Sequence, residues 1–276
     1  MKREKRIWVL PILSIMTGVA LNSCQEVVSV DLNKADPHIV IEGVISDQPG
    51  PYAVKVSMTG NYFEPSLYFP PVTDARIVVS DDKGQRDTLK EVNQGIYNSS
   101  TLKGITGRTY SLSVVREGAT YQASSFMPAK VLIDSCYVVA RTGFRSEPGY
   151  DIYVLFKDPP ELGNYYRLNA TSNALIPADS IDGRRYRLYT DKLTNGNEMT
   201  ERIRAGGKVQ SGDTITLELL SIDKPAYDYF STLRDILSSD RSPTSLSPAN
   251  PNTNLTNGSL GYFAAFAMDT KKIVIP

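Results

Sequence analysis

From His38 onward the chain is written largely in period two. "HIVIEGVIS" (38–46), "YAVKVSM" (52–58), "ARIVVSDD" (75–82), "RTYSLSVVREG" (108–118) and "ATYQASSF" (119–126) alternate apolar and polar residues, with β-branched and aromatic side chains prominent. Successive side chains of an extended chain point to opposite faces, so each run makes a strand with one buried and one wet face. The breaks carry turn residues: "DQPGP" at 47–51, "DDKG" at 81–84, "NQG" at 93–95 and "REG" at 116–118. Short strands separated by turns at roughly ten-residue spacing predict an immunoglobulin-like β-sandwich over 38–127.

"MPAKV" at 127–131 marks the junction to a second part, 128–276. There "DSCYVVARTG", "YDIYVLFKDPP", "NYYRLNAT", "RRYRLYTD" and "DTITLELLSID" again read as strands, with longer polar intervals. One helix is expected near 225–238, where Tyr229, Leu233, Ile236 and Leu237 recur at three- and four-residue spacing. Asp223 before Lys224 and Pro225 is placed to cap it. The Ser-, Pro- and Asn-rich stretch 238–261 reads as a loop, and "GYFAAFAMDTKKIVIP" as a closing pair of strands. The predicted class is therefore all-β: an immunoglobulin-like sandwich followed by a second β-rich domain with one covering helix.

The segment before these strands has a different character. "MKREKR" precedes an apolar run from Ile7 to Leu21, 15 residues long. A membrane-spanning helix needs roughly 20 apolar residues, whereas a basic head, a short apolar middle and small residues at the end make a secretory signal. It ends in "LNSC", which resembles a lipoprotein signal: residues 1–23 would be cut away, Cys24 acylated, and 24–37 left as a tether. Each buried methylene adds about 0.8 kcal/mol, so a multiply acylated cysteine stays on its membrane. Lys2, Arg3, Lys5 and Arg6 leave with the leader against Glu4, and the mature chain keeps 26 basic and 29 acidic residues, a net charge near −3. That balance gives no basic footprint for nucleic acid.

Candidate chemistry is sparse. His38 is the one histidine, and with Cys24 acylated Cys136 is the one remaining thiol, read as a core residue of a strand; together they cannot supply a zinc set. No cofactor or metal is expected. "DDKGQRD" at 81–87 lacks the spacing of a calcium loop and reads as a hairpin turn. No G-x-S-x-G elbow or phosphate-binding glycine motif occurs. Two carboxylates converging in space for a hydrolase stay open, since no sequence pattern marks them. The candidate contact residues are Tyr62, Phe63, Tyr68 and Phe69 in "NYFEPSLYFPPV", where a plain connection would be polar. They either meet a ligand or partner from a loop, or plug one end of the sandwich.

The order of segments as a whole, from "SCQEVVSVDL" and "HIVIEGVISDQPGPYAVKVSMTGNYF" through "PPVTDARIVVSDDKG", "GIYNSS" and "GRTYSLSVVREGATYQASSFMPA" to "IDS" and "NLTNGSLGYFAAFA", resembles the domain of unknown function 4249 family of Bacteroidota lipoproteins. The resemblance implies an outer-membrane lipoprotein, a TonB-dependent transporter barrel as partner and, through that partner, the cell surface. It implies no activity and no catalytic residues. The expectation is thus a non-enzymatic accessory or binding protein held at the outer membrane by its N-terminal lipid and serving nutrient uptake. A structural or adhesive envelope module, and a carbohydrate- or peptide-active hydrolase using paired carboxylates, are the alternatives.

Overall fold

The period-two runs become strands in the computed structural model, which describes residues 36–60, 69–141, 148–172, 186–205, 209–239 and 250–276. In β1 (Ile39–Ser46), Ile39, Ile41 and Ile45 are buried while Val40, Glu42 and Val44 lie on the opposite, half-open face. β2 (Ala53–Met58) pairs antiparallel with β1 and buries Val54 and Val56. The short β5 (Lys90–Asn93) and β6 (Ile96–Asn98) extend this sheet beyond β2. A second sheet, ordered β4 (Arg86–Thr88), β3 (Arg76–Asp81), β7 (Thr109–Arg116), β8 (Ala119–Phe126), is antiparallel throughout. Its tightest hairpin joins β7 to β8 through Glu117 (φ 47) and Gly118 (φ 80), both left-handed as a two-residue turn requires. Ile77, Val79, Tyr110, Leu112 and Val114 point from this sheet into a core shared with Ile41, Ile45, Val54 and Val56. "DDKGQ" is the β3–β4 turn, where the Asp81 carboxylate accepts the amides of Lys83 and Gln85 and pairs with Arg108 at 2.6 Å.

The second half repeats the sandwich. β9 (Ile133–Arg141), β10 (Gly149–Lys157) and β13 (Glu198–Ala205) form a three-stranded sheet with β10 in the middle. Facing it are β12 (Tyr186–Thr190), β11 (Tyr165–Ser172) and β14 (Thr214–Ile222). Ile152, Val154, Phe156, Tyr166, Leu168, Ile215, Leu217 and Leu219 fill the space between them. Cys136 packs partly buried at the margin of this core. The junction 127–131 passes from one core to the other: Met127 is fully buried in the first, Val131 is buried in the second, and Lys130 pairs with Asp47 at 2.6 Å.

The C-terminal run corrects an expectation. Instead of two strands it is one, β15 (Leu260–Val274), 15 residues long. Leu260 to Phe266 run parallel to β1 in register with Val40 to Ser46, and Ala267 to Val274 run antiparallel to β14 in register with Ser221 to Thr214. The strand continues because each half has a partner on a different edge, and because its remaining main-chain groups are taken up locally. Phe263 donates its amide to Asn254 Oδ1 and accepts from Asn254 Nδ2, Ala265 donates to Ser125 Oγ, and Met268 donates to Asp47 Oδ1. Buried backbone groups left without partners would cost as much as lost hydrogen bonds, so these side chains are what let one strand serve two sandwiches. The result is a continuous eight-stranded sheet, β12-β11-β14-β15-β1-β2-β6-β5, with a smaller sheet packed against each half. Phe263, Ala265 and Ala267 belong to the first core and Ile275 to the second. Pro37 to Pro276 accordingly form one compact unit, all-β apart from one α-helix among the described residues.

That helix, α1 (Lys224–Ser239), lies on the opposite face of the long sheet. Ala226, Tyr229 and Phe230, with Leu233 half-buried, meet Leu220, Ile222, Tyr262, Ala264, Phe266 and Met268. Asp223 caps it as the sequence predicts: Oδ1 accepts the Ala226 amide at 3.0 Å. The structure adds a second duty, for Oδ2 accepts both the Ser125 hydroxyl at 2.7 Å and the Phe126 amide at 3.0 Å. Burial pushes the Asp223 carboxyl above the ordinary range, against the pull of these donors. Asp223→Ala removes a cap and strands two buried donors, an expected loss of about 2–4 kcal/mol. Thermal unfolding should fall by roughly 5 °C or more, while Asp223→Asn should lose less because its amide oxygen still accepts.

Candidate interaction surface

Of the residues singled out from sequence, Cys24, Tyr62, Phe63 and Tyr68 lie outside the described residues. Phe69 is 52% exposed and so plugs no core. It sits at the end of the first sandwich where the chain enters β1: Met58 donates its amide to Pro70 O, Thr59 to His38 O, and His38 to Thr59 Oγ1. His38 Nδ1 also lies 3.3 Å from Gly258 O, on the segment that leads into β15.

The buried carboxylates act as loop anchors. Asp87 Oδ2 accepts the amides of Ser100, Thr101 and Leu102 at 2.7, 2.7 and 3.0 Å. Burial raises its pKa, but these three donors outweigh it and hold the carboxyl below the ordinary range. Asp191 Oδ2 accepts Gly163 and Asn164, and Asp158 accepts the Tyr166 hydroxyl and the Gly196 amide. Burial, then the Asp158 hydrogen bond, pushes the Tyr166 phenol far above its usual value. A groove of about 540 Å³ is lined in equal part by residues 47–52 and by 99–104, the loop that Asp87 fastens, and Asp47 is paired with Lys130. Under the helix the Arg167 guanidinium lies between the Tyr186 and Phe230 rings, 4.4 and 4.3 Å from their centroids, with Nε donating to Asn169 Oδ1. It joins α1 to the sheet. Among the described residues no group of three or more His, Cys, Asp or Glu could hold a metal ion, and no helix is long and apolar enough to cross a membrane.

The two outer sheet faces differ in chemistry. On the four-stranded sheet the strand register sets Arg86, Ser80, Ser111 and Ser124 in one cross-strand row and Thr88, Val78, Ser113 and Gln122 in the next. This is a hydroxyl-rich surface of the kind water covers. On the three-stranded sheet one row is Tyr137, Tyr153, Arg202, and the next is Val139, Asp151, Arg204. The two tyrosine rings stack with centroids 4.8 Å apart at 11°. Tyr137 and Val139 are 46% and 45% exposed. Asp151 is buried and bound directly by Arg141 Nη1 at 2.8 Å, a guanidinium that also donates to Ala205 O. Arg202 and Arg204 stand 3.8 and 4.0 Å from the same carboxylate, with side chains 52% and 61% exposed. One carboxylate thus faces three guanidinium groups, and two of those lean into solvent.

Tyrosine and arginine supply large contact area and directional donors, and they are the types enriched where proteins meet partners. The Arg fork suits carboxylates and other planar anions. The strand that carries Arg202 and Arg204 is absent from the sequence expectation, because Glu198, Glu201, Arg202 and Arg204 disguise it. Its signal is the alternation of Met199, Ile203 and Ala205, two of them buried and one partly buried against the second core.

Comparison with solved structures finds a chain of a cytokine receptor complex, aligned over 86% of this chain and 95% of that one at 8% identity and a TM-score of 0.24, a likeness that carries no argument. No curated protein matches. A family model, "Domain of unknown function (DUF4249)", matches residues 25–272 and so covers most of the chain, and the chain belongs to that family.

Proposed function

We propose that the mature chain is a lipid-anchored accessory protein of the outer membrane that works by binding, with a TonB-dependent transporter barrel as its partner in nutrient uptake. The observation that carries the binding reading is the exposed tyrosine–arginine face of the three-stranded sheet. An isolated exposed aromatic needs no explanation, but a stacked pair in register with two solvent-facing arginines is a contiguous patch. The leader ending at Cys24 supports the anchor, and a rigid double sandwich on a short tether suits a protein that presents one face to a neighbour. Asp87, Asp158 and Asp191 are occupied in holding loops and Asp223 in capping the helix, while the tyrosine–arginine face offers a surface to carry binding.

The test is to extract the lipidated protein from its own membrane in mild detergent, purify it through a tag joined by a linker after Pro276, and identify what accompanies it. A transporter barrel in stoichiometric amount is the expected result. A chain that always purifies alone, from cells in which candidate barrels are abundant, contradicts the proposal.

A further inference from the structure

The geometry points to an acidic protein surface as the occupant of the tyrosine–arginine face. This rests on the reading of that face as a contact surface and adds the chemistry of what meets it. On a mature chain of net charge near −3, the rows Tyr137–Tyr153–Arg202 and Val139–Asp151–Arg204 gather Arg141, Arg202 and Arg204 around the single carboxylate of Asp151. Arg141 makes the direct bond to it, so the charges of Arg202 and Arg204 are offset only at the ion-pair limit. Two rows further along, Lys157 stands opposite Glu198 in register, so among the described residues of β10 and β13 the outward charges there are of both signs.

The charged groups offered there are donors only, because guanidinium nitrogens cannot accept, whereas the Tyr137 and Tyr153 hydroxyls can both donate and accept. A partner that meets the two guanidinium groups must bring acceptors, and carboxylates are the acceptors that also satisfy the charge. The tyrosines stack on each other, so one face of each ring is already covered and Tyr153 offers mainly an edge and a hydroxyl. A sugar chain stacks best on free ring faces, whereas a protein loop bearing Asp or Glu beside apolar atoms fits ring edges, Val139 and two guanidinium forks.

The experiment uses the lipidated mature chain in detergent, immobilised, with poly-L-glutamate and polygalacturonate as probes at low and raised salt. Poly-L-glutamate should bind, weaken as salt rises, and weaken by about ten-fold or more in R202E/R204E, because those two substitutions reverse the charge that meets the probe. Y137S should weaken it at unchanged charge, and R86E on the hydroxyl-rich face should leave it unaltered. Y137S and R86E should keep the wild-type thermal transition, and because R202E/R204E sets two more carboxylates beside Asp151, R202Q/R204Q is measured with it and should also weaken binding while keeping the transition. No binding of poly-L-glutamate, an equal loss in R86E, or binding of polygalacturonate alone would overturn the inference, the last by assigning the face to an acidic polysaccharide. The same R202E/R204E chain, taken through the membrane purification, separates the two proposals. If it still brings down the barrel, the accessory function stands and the assignment of this face falls.

Discussion

A chain ending at Ser259 will fold in neither half. The lost segment carries Phe263, Ala265 and Ala267 out of the first core, Ile275 out of the second, and Tyr262, Ala264, Phe266 and Met268 out from under the helix. Burying a large apolar side chain contributes about 1.5–3 kcal/mol, so five such residues represent on the order of 10 kcal/mol. That is comparable with the whole stability of a typical domain, roughly 5–15 kcal/mol. The loss is also topological, because β1 and β14 would each expose an unpaired edge along the register that β15 now fills. The shortened chain should give no cooperative thermal transition and no near-ultraviolet circular dichroism, and the fragment 36–127 alone should fail in the same way. The full chain should unfold in one transition. A fragment 36–127 that unfolds cooperatively would show that the first sandwich closes without β15.

The second large effect is expected at a single atom's distance. Gly261 has φ +95, and a Cβ built there would lie 2.1 Å from the carbonyl oxygen of Ile41, with the Ile41 carbonyl carbon at 2.8 Å and its nitrogen at 3.1 Å. The obstacle is backbone of the paired strand, so it cannot swing aside as a side chain would. Gly261→Ala combines a left-handed conformation, costing an L-residue roughly 1–2 kcal/mol, with a forced displacement where β15 joins β1. A loss of about 3 kcal/mol or more is expected in denaturant unfolding, and Gly261→Val should be worse. Gly118→Ala is the control: it too has positive φ (+80), but nothing lies within 4 Å. Its cost should stay near 1 kcal/mol, and equal losses at the two sites would contradict the close approach.

The first sandwich was legible because its information is local. Alternation named β1, β2, β3, β7 and β8, though not the short β4, β5 and β6, and Glu117–Gly118 and Asp81–Gly84 named the turns. Asp223 named the helix start, although the face that α1 buries uses Ala226 and Phe230 beside the expected Tyr229 and Leu233. What sequence could not supply is pairing between distant segments. The parallel register of Leu260 with Val40 joins residues far apart in the chain, and nothing near either announces it. Nor does the continuous run from Gly261 show that one strand changes partner halfway. The candidate surface was hidden for the same reason. Tyr137, Tyr153 and Arg202 sit on three different strands and become neighbours only through two antiparallel registers, one of them on a strand whose charges masked its period. The aromatic segment that sequence did single out contributes one described aromatic, Phe69, exposed beside the start of β1, while its last residue, Val72, is buried in the first core.

The most direct measurement places a photo-crosslinking benzoylphenylalanine at position 137 of the full-length protein in the cells that make it, with positions 111 and 113 on the hydroxyl-rich face as comparisons. One dominant adduct is expected from position 137, to a barrel transporter and through an acidic loop of it, and none of matching yield from 111 or 113. Adducts from 111 or 113 with none from 137 would contradict it and move the working surface to the other sheet.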